Sequence, residues 1–218
     1  MQKYSVFSLI KNAFSNHQNW EVAWKDPTPK SEYDVVIIGG GGHGLATAYY
    51  LAKEHNIRNV AIIEKGWIGG GNVGRNTTII RSNFMYDANA RFNEFGMDLW
   101  RNLSQELNFN VMFSPRGIIN LAHSDAQMNA YARRGNSMRL NGIDAKLLDR
   151  DEVKKLIPMA DFSDEVRFPI FGGLMQPSAG TARHDAVAWG YARQADDMGV
   201  DIIQHCEVTG FDVVNGKI

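Results

Sequence analysis

Residues 34–64 read DVVIIGGGGHGLATAYYLAKEHNIRNVAIIE, and this stretch decides the fold. Asp34 to Ile38 is a short β-branched apolar run, the composition of a buried parallel strand. Gly39 to Gly44 (GGGGHG) fits G-x-G-x-x-G, and a helical pattern runs on from about His43 to Glu54. Val60 to Glu64 reads as a second strand. Strand, glycine turn, helix and strand within about 30 residues form a βαβ unit of the kind that binds a dinucleotide. Gly39 makes the tight turn, Gly41 lets the backbone approach a pyrophosphate, and Gly44 lets the helix pack close to the strand. Gly42 and His43 add backbone N–H groups at the helix N-terminus, where the dipole favours phosphate. Glu64 follows Gly44 by about 20 residues, the place from which a carboxylate accepts hydrogen bonds from a ribose. An acid there disfavours the extra phosphate of NADP. The motif by itself leaves FAD and NAD both open.

Outward from this unit, Asp26 to Lys30 (DPTPK) is a proline-punctuated linker, so the domain should begin near Tyr33. Before it, Phe7, Leu9, Ile10 and Phe14 fall at roughly helical spacing, followed by Trp20 and Trp24. This arm and linker, residues 1–32, should pack on the domain or on a partner, the alternative being a partly ordered tail. Downstream, Asp87 to Leu107 reads as a helix with Phe92, Phe95, Leu99 and Leu103 on one face. Val111 to Ala122, interrupted by Pro115 and Gly117, reads as paired strands. Ser124 to Leu140 and Asp149 to Ile157 read as helices, and Asp185 to Met198 as another, closed by Gly199. Asp201 to Gln204 and Glu207 to Val214 read as strands, with a hairpin turn at Asn215-Gly216. The chain stops inside that hairpin, and the expectation is the N-terminal part of a longer polypeptide.

Composition narrows the function classes. The 218 residues are 44% hydrophobic and 22% charged, as in a globular protein. A net charge of -1 creates no global attraction to nucleic acid or an anionic membrane, and neither is expected as a partner. No run approaches the roughly 18 apolar residues that span a bilayer. Cys206 is the single cysteine, which points to a reducing, cytoplasmic location. The six histidines show no metal-ligand spacing, and no metal is expected. No nucleophile elbow marks a hydrolase.

A second glycine-rich segment, Gly69 to Arg81 (GGGNVGRNTTIIR), follows the acidic residue. Together with the βαβ unit it resembles the D-amino-acid oxidase and sarcosine oxidase superfamily of flavoproteins. Within it, the chain is similar to the β-subunit family of heterotetrameric sarcosine oxidases. The resemblance covers YDVVIIGGGGHGLATAYYLA, IIEKGWIGGGNVGRNTTIIRSN, RGIINLAH and GTARHDAVAWGYARQADDMGVDIIQHCEVTGF. It implies an α/β fold: a Rossmann-like FAD-binding domain with part of an antiparallel-sheet substrate domain inserted. The FAD-binding βαβ would occupy 33–82, the start of the substrate domain about 109–175, and the return to the FAD domain about 180–218.

The resemblance also implies site residues and partners. FAD would be non-covalent, since no histidine lies between His55 and His123 to tether it. Lys65 would approach the adenosine, and Asn72, Arg75, Thr77, Thr78 and Ile79 would border FAD. Val208 sits where the family places a backbone contact to adenine. Arg81 would hold the substrate carboxylate, for which a guanidinium fork is suited. Arg183, His184 and Asp185 match a K/R-H-D motif whose histidine carries covalent FMN, so His184 would be the attachment point. A neutral imidazole is a nucleophile, which suits that role. The implied reaction is oxidative demethylation of sarcosine, with FAD reduced, electrons passed to FMN, and oxygen reduced to peroxide. Partners would be α, γ and δ subunits, with NAD and tetrahydrofolate on α. Two rival readings stand beside it: a single-flavin amine or amino-acid oxidase of the same superfamily, and a non-catalytic flavin-binding scaffold subunit.

Overall fold

A computed structural model describes residues 5–18 and 22–215. The chain divides into two compact units. The first comprises Met1–Thr77, Gln105–Val111 and His184–Ile218; the second comprises Thr78–Ser104 and Met112–Arg183.

The first unit is built on a parallel sheet of β1 (Val35–Ile38), β2 (Val60–Ile63) and β8 (Asp201–Ile203), in the order β1-β2-β8. Val35 pairs with Val60 and Ile38 with Ile63; on the other side of β2, Ala61 pairs with Asp201 and Ile63 with Ile203. Helix α2 (Gly42–His55) makes the crossover and buries Leu45, Ala48, Tyr49 and Ala52, a stripe at helical spacing. It ends where Asn56 takes a left-handed conformation and its N–H bonds to Leu51 O. Helix α6 (His184–Asp197) packs on α2, with Ala188, Ala192 and Ala195 among its buried residues, and its Gly190 lies against Leu107 and Phe109. Arg193 on α6 is only 2% exposed, and its Nη2 donates to the carbonyls of Leu107 and Asn108.

Two expectations are corrected here. The run Asp34 to Ile38 was expected as a buried strand, but among the described residues β1 pairs on one side only, and Val36 and Ile38 are 50% and 54% exposed. Glu207 to Val213 forms no strand. Among the described residues no neighbour supplies a ladder for it. Gly216 of the expected hairpin lies outside the described residues, as does Trp20.

The arm forms helix α1 (Val6–Phe14), capped by Ser5 Oγ, which accepts from Ser8 N; Val6, Phe7, Leu9, Ile10 and Phe14 are exposed. Farther along, the expected linker is pinned beside β8. Lys25 N donates to Asp196 Oδ1, and Gln204 N donates to Asp26 Oδ1. Lys30 Nζ and Tyr33 OH both reach Asp201, at 2.8 and 3.0 Å.

The second unit holds an antiparallel sheet of β4 (Ile118–Ala122), β6 (Gly172–Gln176) and β5 (Lys146–Asp149), in the order β4-β6-β5. A ribbon pairs β3 (Ile79–Ile80) with β7 (Gly180–Thr181). Helix α4 (Asp125–Leu140) is capped by Ser124, whose Oγ accepts from Gln127 N. Helix α5 (Arg150–Leu156) starts with a capping box between Asp149 and Glu152. The expected strand pair within Val111 to Ala122 is not formed: β4 pairs with β6, fifty residues on in the chain, and only an isolated bridge joins Ser114 to Thr181.

Helix α3 (Asp87–Glu106) buries Ala90, Met97 and Leu103, whereas Phe92 and Phe95 are exposed. Of the expected apolar face, Leu103 is buried, while Phe92 and Phe95 are not. The buried side carries Glu94 as well, which accepts from Ser82 Oγ, and this polar anchor breaks the hydrophobic periodicity.

Candidate functional site

In the first unit the glycine turn follows directly from β1. Gly39 has φ +104, a conformation that L side chains rarely adopt. A Cβ on Gly44 would lie 2.1 Å from Gly39 O and 3.2 Å from Ile37 Cγ2, so only glycine lets α2 start this close to the strand. Gly41 is the N-cap of α2, and no side chain caps the helix. The first-turn N–H groups thus have no side-chain acceptor, the arrangement that receives phosphate.

Glu64 follows β2 directly. Its Oε2 accepts from Gly40 N and its Oε1 from Gly66 N, both at 2.8 Å. Each oxygen retains a further lone pair for a hydroxyl. The backbone beside it is tied to the chain after β8: Glu64 N donates to Ile203 O, Cys206 N to Glu64 O, and His205 N to Gly66 O. Val208 lies two residues beyond this seam and is half-buried. Lys65 and His43 are exposed, with His43 in the first turn of α2.

The second glycine-rich segment holds a 3-10 turn over Asn72–Arg75, with Asn72, Arg75 and Thr77 exposed. A methyl on Gly42 would sit 3.4 Å from Val73 Cγ2, so this turn lies against the glycine loop. Helix α6 also packs against it. The structure therefore gathers the glycine loop, the 3-10 turn and the helix that begins with His184. The His184 Nδ1 is buried and has no hydrogen-bond partner among the described residues.

In the second unit, Thr78 has φ +60 and its carbonyl accepts from Ala182 N. For a β-branched residue this is a strained conformation, of the sort that tends to occur at ligand-binding segments. Ile79 is exposed on β3. Arg81, just past β3, donates from Nη1 to Asn83 Oδ1 at 2.5 Å and lies over the Phe84 ring, 4.9 Å from its centroid.

Sequence reasoning missed Asn83, Gly40 and Arg134. Gly40 stood in plain view within the motif: its N–H donates to Glu64 Oε2, and a Cβ there would lie 3.1 Å from Glu64 Cβ. Asn83, two residues after Arg81, had only its proximity as a signal. Arg134, far along the chain, had none. Among the described residues, no group of three or more His, Cys, Asp or Glu side chains is placed to hold a metal. No helix among them is long and apolar enough to cross a membrane.

This chain's own groups suit FAD: an uncapped helix start behind a tight glycine turn, and a carboxylate with spare lone pairs beside it. Comparison with known proteins agrees. The chain is 61% identical to the sarcosine oxidase subunit beta of Rhizobium meliloti (strain 1021), over 99% of this chain and 52% of that protein. It is 52% identical to the sarcosine oxidase subunit beta of Rhodobacter capsulatus, over 100% of this chain and 52% of that protein. The chain thus spans about half the length of these relatives. Among solved structures, L-proline dehydrogenase from P.horikoshii superposes with a TM-score of 0.77 at 29% identity, covering 86% of this chain and 48% of that one. The family described as FAD dependent oxidoreductase matches residues 34–218, the whole span from β1 onward, and the chain belongs to that family.

Proposed function

We propose that this chain is the FAD-binding portion of a sarcosine oxidase β subunit that oxidatively demethylates sarcosine. The observation that carries the reading is the 61% identity, across 99% of the chain, to a protein of that name. In the proposed reaction sarcosine, water and oxygen give glycine, formaldehyde and hydrogen peroxide. With tetrahydrofolate present, the one-carbon unit is taken up as methylene-tetrahydrofolate instead.

Bound FAD supplies the two-electron acceptor; the protein's part is to bind, orient and exclude. Gly39, whose N–H donates to Ile63 O, makes the turn; Gly41, Gly42, His43 and Gly44 receive the pyrophosphate on backbone N–H groups, and Glu64 takes the ribose. Lys65 and Val208 border the adenosine. Asn72, Arg75, Thr77, Thr78 and Ile79 line the rest of the flavin. Arg81 binds the substrate carboxylate, and no carboxylate of the described chain competes for it. Its contribution is positional: it sets the C–H bond against the flavin ring.

His184 is proposed as the covalent attachment point for FMN, which when bound would supply the route for electrons to oxygen. The buried, unpartnered Nδ1 supports a ring kept for something other than structural hydrogen bonding. The α, γ and δ subunits complete the assembly, with NAD and tetrahydrofolate on α. The single cysteine suits a reducing cytoplasmic location.

Mass spectrometry of the denatured protein, co-expressed with its neighbouring subunits, tests the reading. The expected result is an adduct of FMN mass on the peptide containing His184, absent in His184→Ala, with FAD still released from both. An unmodified peptide with FAD alone released would shift the assignment to a single-flavin amine oxidase.

A further inference from the structure

The second unit holds two arginines whose charge no nearby carboxylate balances. Arg81 donates from Nη1 to Asn83 Oδ1 at 2.5 Å. Arg134, on α4, donates from Nη2 to the same oxygen at 3.1 Å. It also donates from Nε, at 2.7 Å, and from Nη2 to the Asn83 backbone carbonyl. One amide oxygen accepts from both guanidiniums, which makes them immediate neighbours. Asn83 is 0% exposed, and its Nδ2 donates to Asn120 Oδ1 on β4 at 2.7 Å, which turns Oδ1 toward the arginines.

Amide oxygens position a guanidinium but do not neutralise it. Among the described residues neither arginine forms an ion pair. Arg81 Nε and Nη2 and Arg134 Nη1 have no acceptor there. Two like charges this close, half out of water, repel each other. Burial, and then the Arg81 charge, hold the Arg134 guanidinium below its usual range. An anion placed on the spare donors of Arg81 relieves that repulsion and feels both charges.

We propose that Arg134 is a specificity-determining residue of the carboxylate site, adding a second positive charge behind Arg81, with buried Asn83 clamping the pair. The inference rests on the reading of Arg81 as the carboxylate-binding residue. The ligand class is a small molecule bearing a carboxylate; an uncharged amide isostere gains nothing from the second cation.

The test uses the intact, assembled enzyme and two non-reacting probes, methoxyacetate and methoxyacetamide, titrated by the change in flavin absorbance. Arg134→Met is expected to weaken methoxyacetate roughly tenfold and raise the sarcosine KM by a like factor, with kcat within about twofold. Methoxyacetamide affinity should stay unchanged. Arg134→Lys, which keeps the charge and loses the fork, should retain most of the methoxyacetate affinity. Asn83→Asp places a carboxylate between the two cations, and is expected to raise the melting temperature while weakening methoxyacetate by roughly tenfold or more. This variant serves even where Arg134→Met fails to fold. Unchanged methoxyacetate affinity in Arg134→Met or Asn83→Asp overturns the inference. So does an equal loss in Arg134→Lys and Arg134→Met, which marks a structural arginine. Arg81→Met separates the two readings. Lost affinity there, with normal affinity in Arg134→Met, removes only the second cation; normal affinity in both removes the carboxylate role of Arg81 as well.

Discussion

Gly44 and Arg81 illustrate two ways a single residue acts at this site. Gly44 acts through what it lacks: any Cβ there would sit inside the van der Waals surface of the Gly39 carbonyl. Gly44→Ala must push α2 off β1 or twist the turn, at about 1–3 kcal/mol. The expected outcome is a lower melting temperature and protein purified with little FAD, read from the flavin-to-protein absorbance ratio. Full FAD content in this variant would show that the turn tolerates the shift. Arg81 acts through charge. Arg81→Ala is expected to raise the sarcosine KM by about one to two orders of magnitude, from loss of a charge-assisted bond worth about 1.5–3 kcal/mol. Steady-state kinetics check it, and an unchanged KM would return Arg81 to a structural role. The glycine motif and Arg81 were legible from local spacing alone. Asn83 and Arg134 were not, because their meeting is a tertiary contact between β4, α4 and the segment after β3.

The helices of the first unit meet around Glu106 near the end of α3. Tyr49 OH donates to Glu106 Oε1 at 2.9 Å, and Lys53 Nζ reaches the same oxygen at 2.7 Å. Burial first, and then the Glu106 hydrogen bond, push the Tyr49 phenol well above its usual range. The Lys53 ammonium is likewise raised, chiefly by its hydrogen bond to Glu106. Both folded values lie above the unfolded ones, 10.0 and 10.5. The associated stability is therefore fully present below about pH 10 and is lost as pH rises toward the folded values. Urea melts of the intact protein between pH 8 and 11 should show stability falling above pH 10. Tyr49→Phe should lose about 1–2 kcal/mol at pH 8 but fall less steeply above pH 10. Parallel curves for the two proteins would place the alkaline loss on other groups. None of this was visible in the sequence, since α2 and the end of α3 are joined only by folding.

Among the described residues, the parallel sheet of the first unit ends at β1, with Val36 and Ile38 half exposed on a strand whose sequence is apolar throughout. The chain also spans about half the length of the sarcosine oxidase β subunits that it matches. An open edge next to the glycine turn leaves the turn supported from one side only. The 218-residue chain expressed alone is therefore expected to bind FAD roughly tenfold or more weaker than a polypeptide of the relatives' length. Its β1 amides should exchange fast. Fluorescence titration with FAD and hydrogen exchange measure both. Equal affinity would show that the β1 edge contributes nothing to the site.

The sequence by itself determined the βαβ unit, the glycine turn, the acidic residue after β2 and the start and stop of most helices. Each of these is set by short-range chemistry: β-branched runs, glycines at fixed offsets, and caps at Ser124, Asp149 and Gly199. Tertiary structure alone decided which apolar residues of α3 are buried, that β4 pairs with β6, and that Glu207 to Val213 forms no strand. It alone decided that Arg81 and Arg134 share one amide oxygen. The reason is common to all four: burial and pairing depend on partners distant in sequence, and a periodic pattern specifies a face without specifying what covers it.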